Sequence, residues 1–219
     1  MLAIFKREFK SYFQNVIGWL FVAALLAVYG LYFYVYNLKN GYPYISYDLN
    51  GIGFIMMIAV PILTMRSLSD EKKTKTDQLM LTSPVSVGRI VAGKYFAMAA
   101  VYTIDIALFA LSPLVLSIYG KVALSEAYVA LFGYWLYGLS CIAVGLFISS
   151  ISESVIISAI LTFAALFLSY MMQSITGLIS SSGNLLTKVL NCFDLYTPFE
   201  NFVSGCFSVT SAAYYVSLL

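Results

Sequence analysis

The chain has 219 residues, 61% of them hydrophobic and only 10% charged, with a mean hydropathy of +0.89 and a net charge of +2. Such proportions exclude an ordinary soluble domain, where apolar content sits nearer half and charge nearer a quarter, and leave room for several membrane spans of about 20 residues each. Histidine is absent, which removes Ser-His-Asp and Cys-His nucleophile systems with most zinc chemistry, and the small net charge gives no footprint for nucleic acid, which is not expected as a partner.

The first stretch, MLAIFKREFKSYFQN (1–15), predicts an amphipathic helix. On a wheel of about 100° per residue, Leu2, Phe5, Phe9, Tyr12, Phe13 and Val16 share one stripe, and Lys6, Arg7, Glu8, Lys10 and Gln14 lie off it. A helix of this pattern lies flat in the membrane interface with its cations among the headgroups. Residues 16–36 carry no charge and are long enough to span. The run is too long for a signal-peptide core and has no small-residue cleavage pattern after it, so it is read as retained.

Six tyrosines between Tyr32 and Tyr47, set among turn residues, mark a membrane–water boundary. Further apolar runs occupy 51–65, 95–119, 128–149 and 155–172, and Pro61 and Pro113 are expected to kink theirs. Residues 173–209 mix Gly, Ser, Asn and Pro with two short apolar runs and read as an outer segment. At 210–219 about ten residues of a sixth span begin, too few to cross ~30 Å of hydrocarbon, so the natural protein is expected to continue past Leu219.

Basic residues give the orientation. With a cytoplasmic amino terminus, Lys6, Arg7, Lys10, Arg66, Lys72, Lys73, Lys75, Arg89 and Lys94 lie inside, and only Lys39, Lys121 and Lys188 outside. Nine against three is a positive-inside bias. The stretch 66–94 then becomes the one long cytosolic loop, and it holds nine of the 22 charged residues of the chain.

Within it, GRIVAGKY (88–95) matches the first seven positions of a phosphate-binding loop, but Tyr95 stands where a Ser or Thr must hold magnesium, and no strand precedes it. The stretch reads instead as two helical pieces. The second span continues past Arg66 into SLSDEKKTKTDQLMLT, ending in apolar Leu79, Met80 and Leu81. Pro84 stops that helix and suits the first turn of the next, with Ser83 as its N-cap. The result is a cytosolic elbow with a charged tip and an apolar patch. Composition alone leaves open whether it meets a soluble partner or is a solvated hairpin.

The ordered pattern Arg66, Glu71-Lys72-Lys73, Thr76, Gln78-Leu79, Pro84-Val85 and Gly93-Lys94 resembles the signature that follows the second span of ABC-2 type transporter permeases. The amphipathic helix before the first span, six spans, and an outer segment with short re-entrant helices extend the likeness over essentially the whole chain, with the permease domain at 16–219. The late stretch DLYTPFENFVSGCF is also similar to the gliding-motility-type members. Departures are the incomplete sixth span and the pair Thr74-Lys75, where that family often has a Gly.

The resemblance implies an all-α polytopic permease of the type V exporter-like class, with no catalytic or metal site and no cofactor of its own. Two cytosolic ATPase subunits would bind ATP and magnesium, and a second permease subunit, the same or homologous, would complete the transporter in the lipid of the cell membrane. Glu71, Lys72, Lys73, Thr74, Lys75, Thr76, Gln78 and Leu79 would form the coupling helix seated on the ATPase. The fifth span, rich in small residues, would border the subunit interface and, with the second, the translocation path.

Asp105 is the one ionisable group well inside a span, with a structural or a substrate-contacting role open to it. Glu126 and Glu200 read as solvated outer charges, Cys141 as a small buried residue, and Cys192 and Cys206 as a pair that a disulfide would join only on an oxidising side. An intramembrane enzyme lacks its nucleophile motif and paired carboxylates. An ATP-independent channel or scaffold is the other alternative, and it gives the charged elbow no task.

Overall fold

The computed structural model describes residues 2–75, 86–120, 122–179 (with side chains to 172), 193–205 and 207–218. Among these the chain is helical throughout, without a strand. Lipid offers no partner for backbone N–H and C=O groups, so an apolar chain of this length satisfies them within helices.

The amphipathic helix α1 (Leu2–Gln14) is followed by a break at Asn15, whose backbone is extended, and then by α2 (Val16–Phe33). The reversal is tight because Gly18 lies against the Tyr12 backbone, where any Cβ would collide with the Tyr12 carbonyl. Phe5, Phe9 and Phe13 stack in sequence and end on Trp19, whose Nε1 donates to the Phe13 carbonyl at 2.9 Å. After α2 the chain winds into a wider π-helical turn, Tyr34–Lys39, before α3 (Ser46–Thr64) begins. Pro61 lies inside α3 without ending it.

Next come the short α4 (Ser69–Lys73), α5 (Val87–Phe109) and α6 (Ser112–Tyr119). The third apolar run is thus broken at Ala110 and Leu111, with Pro113 in the first turn of α6, where a missing N–H costs nothing. The cap of α5 falls at Ser86, not at Ser83: Ser86 has extended backbone, and its carbonyl accepts from the Arg89 and Ile90 N–H groups. Serine is a favoured residue at that boundary, and the sequence offers it at both positions. Pro84 and Ser83 lie outside the described residues.

α7 (Leu124–Ile151) is the central mast, with 67% of its spanning stretch buried against 22% for the spanning stretch of α8 (Val155–Ile179). Gly138 lets the Tyr102 ring of α5 lie directly on the α7 backbone, and the Tyr102 hydroxyl donates to the Tyr134 carbonyl at 2.7 Å. Without a hydrophobic drive between helices inside lipid, such close packing and cross-helix hydrogen bonds hold the bundle. The chain closes with α9 (Thr197–Val203) and α10 (Val209–Leu218), both packed on α7. Five helices among the described residues are long and apolar enough to cross a membrane; α10, with ten residues, is shorter than the ~20 a span requires.

Candidate functional site

The charged stretch after α3 does not continue that helix. α3 ends at Thr64, a turn occupies Met65–Leu68, and α4 starts anew at Ser69. This corrects the expectation of one unbroken helix from the second span through Arg66. The turn is stabilised by Met65 N–H donating to the Pro61 carbonyl at 2.9 Å and Ser67 N–H to the Thr64 carbonyl at 3.1 Å.

A five-residue helix does not hold itself in water, so its position comes from its neighbours. On one side Ser149, near the end of α7, caps it: the Ser149 hydroxyl accepts from the N–H groups of Leu68 and Ser69, each at 3.2 Å. The Ser69 hydroxyl in turn donates to the Ser149 carbonyl at 3.1 Å, and the Lys72 ammonium bonds the Ser150 carbonyl. Two orphan donors at the start of α4 are thus satisfied by the Ser149 hydroxyl, and two orphan acceptors at the end of α7 by the Ser69 hydroxyl and the Lys72 ammonium. Lys72 sits at the electronegative end of α7.

On the other side stands Lys94, in the second turn of α5 and only 2% exposed. Its ammonium contacts Glu71 at 2.6 Å, the Ser67 carbonyl at 2.9 Å and Glu8 of α1 at 3.4 Å. Arg7 completes the network, 2.7 Å from Glu8 and 3.9 Å from Glu71. Beside it, burial and then the Glu8 carboxylate raise the Tyr12 phenol above its ordinary range, so it stays neutral. Glu8 was expected on the exposed polar face of α1; it is instead half-buried, because Lys94 of α5 attracts it inward.

Of the candidate coupling residues, Glu71 and Lys72 are therefore drawn into the bundle, whereas Lys73, Thr74 and Lys75 are exposed. Thr74 donates to the Asp70 carbonyl at 2.8 Å and closes the helix. Lys75 has φ +55°, the sole non-glycine positive φ among the described residues. It ends α4 in the left-handed conformation that favours Gly. Thr76, Gln78 and Leu79 lie outside the described residues, as do Cys192 and Cys206. A polar hollow of about 500 Å³ between α1 and α4 is lined by Arg7, Arg66, Asp70, Glu71 and Lys94. An apolar groove of about 1240 Å³ runs between α5 and α7 past Ala100, Trp135 and Ala143, and touches none of the candidate residues described.

Asp105 is fully buried in α5, and neither carboxylate oxygen has a hydrogen-bond partner among the described residues; the hydroxyl of buried Tyr134 has none either. Sequence reasoning missed a second buried acid, Asp48, in the first turn of α3, where it accepts from the Asn37 amide. It had been read as part of a tyrosine-rich turn. The Ser-Tyr-Asp-Leu-Asn run before an apolar stretch is a helix-start signal that would have placed it on α3. Lys94 was visible only as a basic residue in a motif; nothing local marks it as buried.

At the opposite end, Asp194 caps α9 by accepting from the N–H groups of Tyr196 and Thr197 at 2.9 and 3.0 Å. This inserts Phe199 and Phe202, both fully buried, against α7. Glu126 is exposed, Glu200 is half-buried and Cys141 is a buried free thiol.

Five helices able to cross a membrane, a half-buried amphipathic helix ahead of them and a charged elbow after the second define a polytopic membrane protein. The chain belongs to the ABC-2 family: the model described as ABC-2 family transporter protein matches residues 11–219. It is thus a membrane transport component of an ABC transporter. No curated protein and no solved structure matches it.

Proposed function

We propose that this chain is the permease subunit of an ATP-driven exporter, moving a substrate outward across the cytoplasmic membrane while separate ATPase subunits hydrolyse ATP. Two ATPases holding ATP and magnesium pair with two permease subunits, and the amino terminus faces the cytosol. The observation that carries this reading is α4. It is a charged helix set off from α3 by the turn Met65–Leu68, held to α5 through Lys94 and to α7 through Ser149, with Lys73, Thr74 and Lys75 left exposed.

A docking element needs this division of labour. Some side chains fasten it to the spans so that a push is transmitted as rigid-body motion, and others face outward, where they can orient a partner. Glu71 and Lys72 serve the first purpose, and Lys73, Thr74 and Lys75, followed by Thr76, Gln78 and Leu79, the second. In support of the path along the second and fifth spans, Phe54 and Ile58 of α3 are exposed, as are Ile160, Leu161 and Leu168 of α8, and Phe54 packs edge-on against Tyr170 of α8. These apolar faces suit a second permease subunit and a lipid-like or otherwise apolar substrate.

The test is copurification of the ATPase with the permease from membranes. Reversing Lys73 and Lys75 to Glu, or substituting Leu79→Asp, is expected to release the ATPase while membrane insertion is kept. Retention of the ATPase by all of these variants would refute the docking surface.

A further inference from the structure

We infer that Lys94 is a positioning residue that fastens the amphipathic helix α1 to α4, so that the two form a single handle on the head of α5. The mechanical consequence rests on the reading of α4 as the ATPase-docking element; the clasp itself does not.

An ammonium has three donors and no acceptor. Those of Lys94 face three acceptors, each from a different part of the chain: Glu8 on α1, the Ser67 carbonyl in the turn after α3, and Glu71 on α4. At 2% exposure, the cation is desolvated, so these contacts are worth more and are more directional than the same pairs would be in water. The helix break at Met65–Leu68 gives the clasp its purpose. With no continuous helix from α3, α4 takes its orientation from Ser149 on one flank and Lys94 on the other. Glu8 adds α1 to the same body, and α1 already packs along α5. A push on α4 therefore reaches the bundle through α5 and α7, and α1 moves with it instead of riding freely in the lipid surface. The planar fork of arginine cannot offer three donors diverging from one atom, so Lys94→Arg is not expected to preserve the clasp.

The experiment uses the permease in lipid nanodiscs, with spin labels at Lys10→Cys on α1 and Asp70→Cys on α4, and with Cys192 and Cys206 changed to Ser. The inter-label distance distribution is expected to be narrow in the otherwise unsubstituted chain and to broaden in Glu8→Gln and further in Lys94→Gln. Glu8→Gln leaves the buried Lys94–Glu71 pair intact, so it reports on the clasp even where Lys94→Gln fails to fold. An unchanged distribution in Glu8→Gln overturns the inference. In complex with the ATPase, Glu8→Gln should lower ATP turnover roughly tenfold, the worth of one charge-assisted hydrogen bond, with undiminished ATPase recovery. Loss of the ATPase from this variant would make α1 a docking surface and defeat the positioning role. Failure of the unsubstituted permease to bind the ATPase would defeat the docking reading alone, since the label distances are measured without it.

Discussion

The two ends of the helix bundle are held by different physics. At the elbow end, α4 is fixed by charges and hydrogen bonds: Lys94 to Glu71, Glu8 and the Ser67 carbonyl, and Ser149 to two backbone N–H groups. At the opposite end, α9 is fixed by rings. Phe199 stacks on Tyr137 at 5.4 Å and leans on Tyr134, while Tyr196 meets Tyr170 edge-on at 4.7 Å and Asn50 through its hydroxyl. Ring packing is adaptable in direction but dense, and it seals an end. Ion pairs and caps are directional, and they fix an angle. An element that must transmit a push needs the second, while a segment tucked into the apolar core is served by the first.

The comparison can be broken at either end. The largest expected effect is Phe199→Ala, which opens a cavity among the rings and should cost about 3–5 kcal/mol in thermal unfolding followed by tryptophan fluorescence. It should leave the mobility of a label on α4 unchanged; a change there would mean that the two ends are not separate. Lys94→Met should cost about 3 kcal/mol, because Glu8 and Glu71 lose the buried cation that sits between them, and here the α4 label should loosen.

Ser149→Ala removes one acceptor shared by two N–H groups and should cost roughly 1–2 kcal/mol, again read at α4 and not at α9. Asp105 lies between the two ends and belongs to neither network. Replacing it with Leu should raise stability by about 1 kcal/mol, since a buried carboxyl without a partner is a cost; a loss of stability would reveal a partner. The smallest effect is expected at Lys75→Gly, where relief of the left-handed backbone should gain roughly 0.5–1 kcal/mol by the same assay.

Legibility in the sequence followed the range of the interactions. The amphipathic pattern of α1 is a local periodicity, and Phe5, Phe9 and Phe13 do pack where the wheel puts them. The Thr74-Lys75 pair was visible as a departure from the resembled family pattern, although its left-handed backbone at Lys75 is shown by the structure alone. The break after Thr64 was not: no Gly or Pro marks Met65–Leu68, and the turn is held by Ser149, 80 residues from Ser69. Glu8 read as part of the polar face of α1 and Glu71 as a coupling residue, because the Lys94 that claims both lies 86 and 23 positions away.

By itself, then, the sequence determined the solvent of this protein, the family signature along its elbow and the concentration of charge after the second span. Composition and apolar run length decide what lipid will accept, and both are sums over near neighbours. Tertiary structure alone decided which of these charges are exposed and which are drawn inside. A buried cation is stabilised only by acceptors converging on it from α1, α4 and the turn between α3 and α4, and that convergence exists only once the helices have packed.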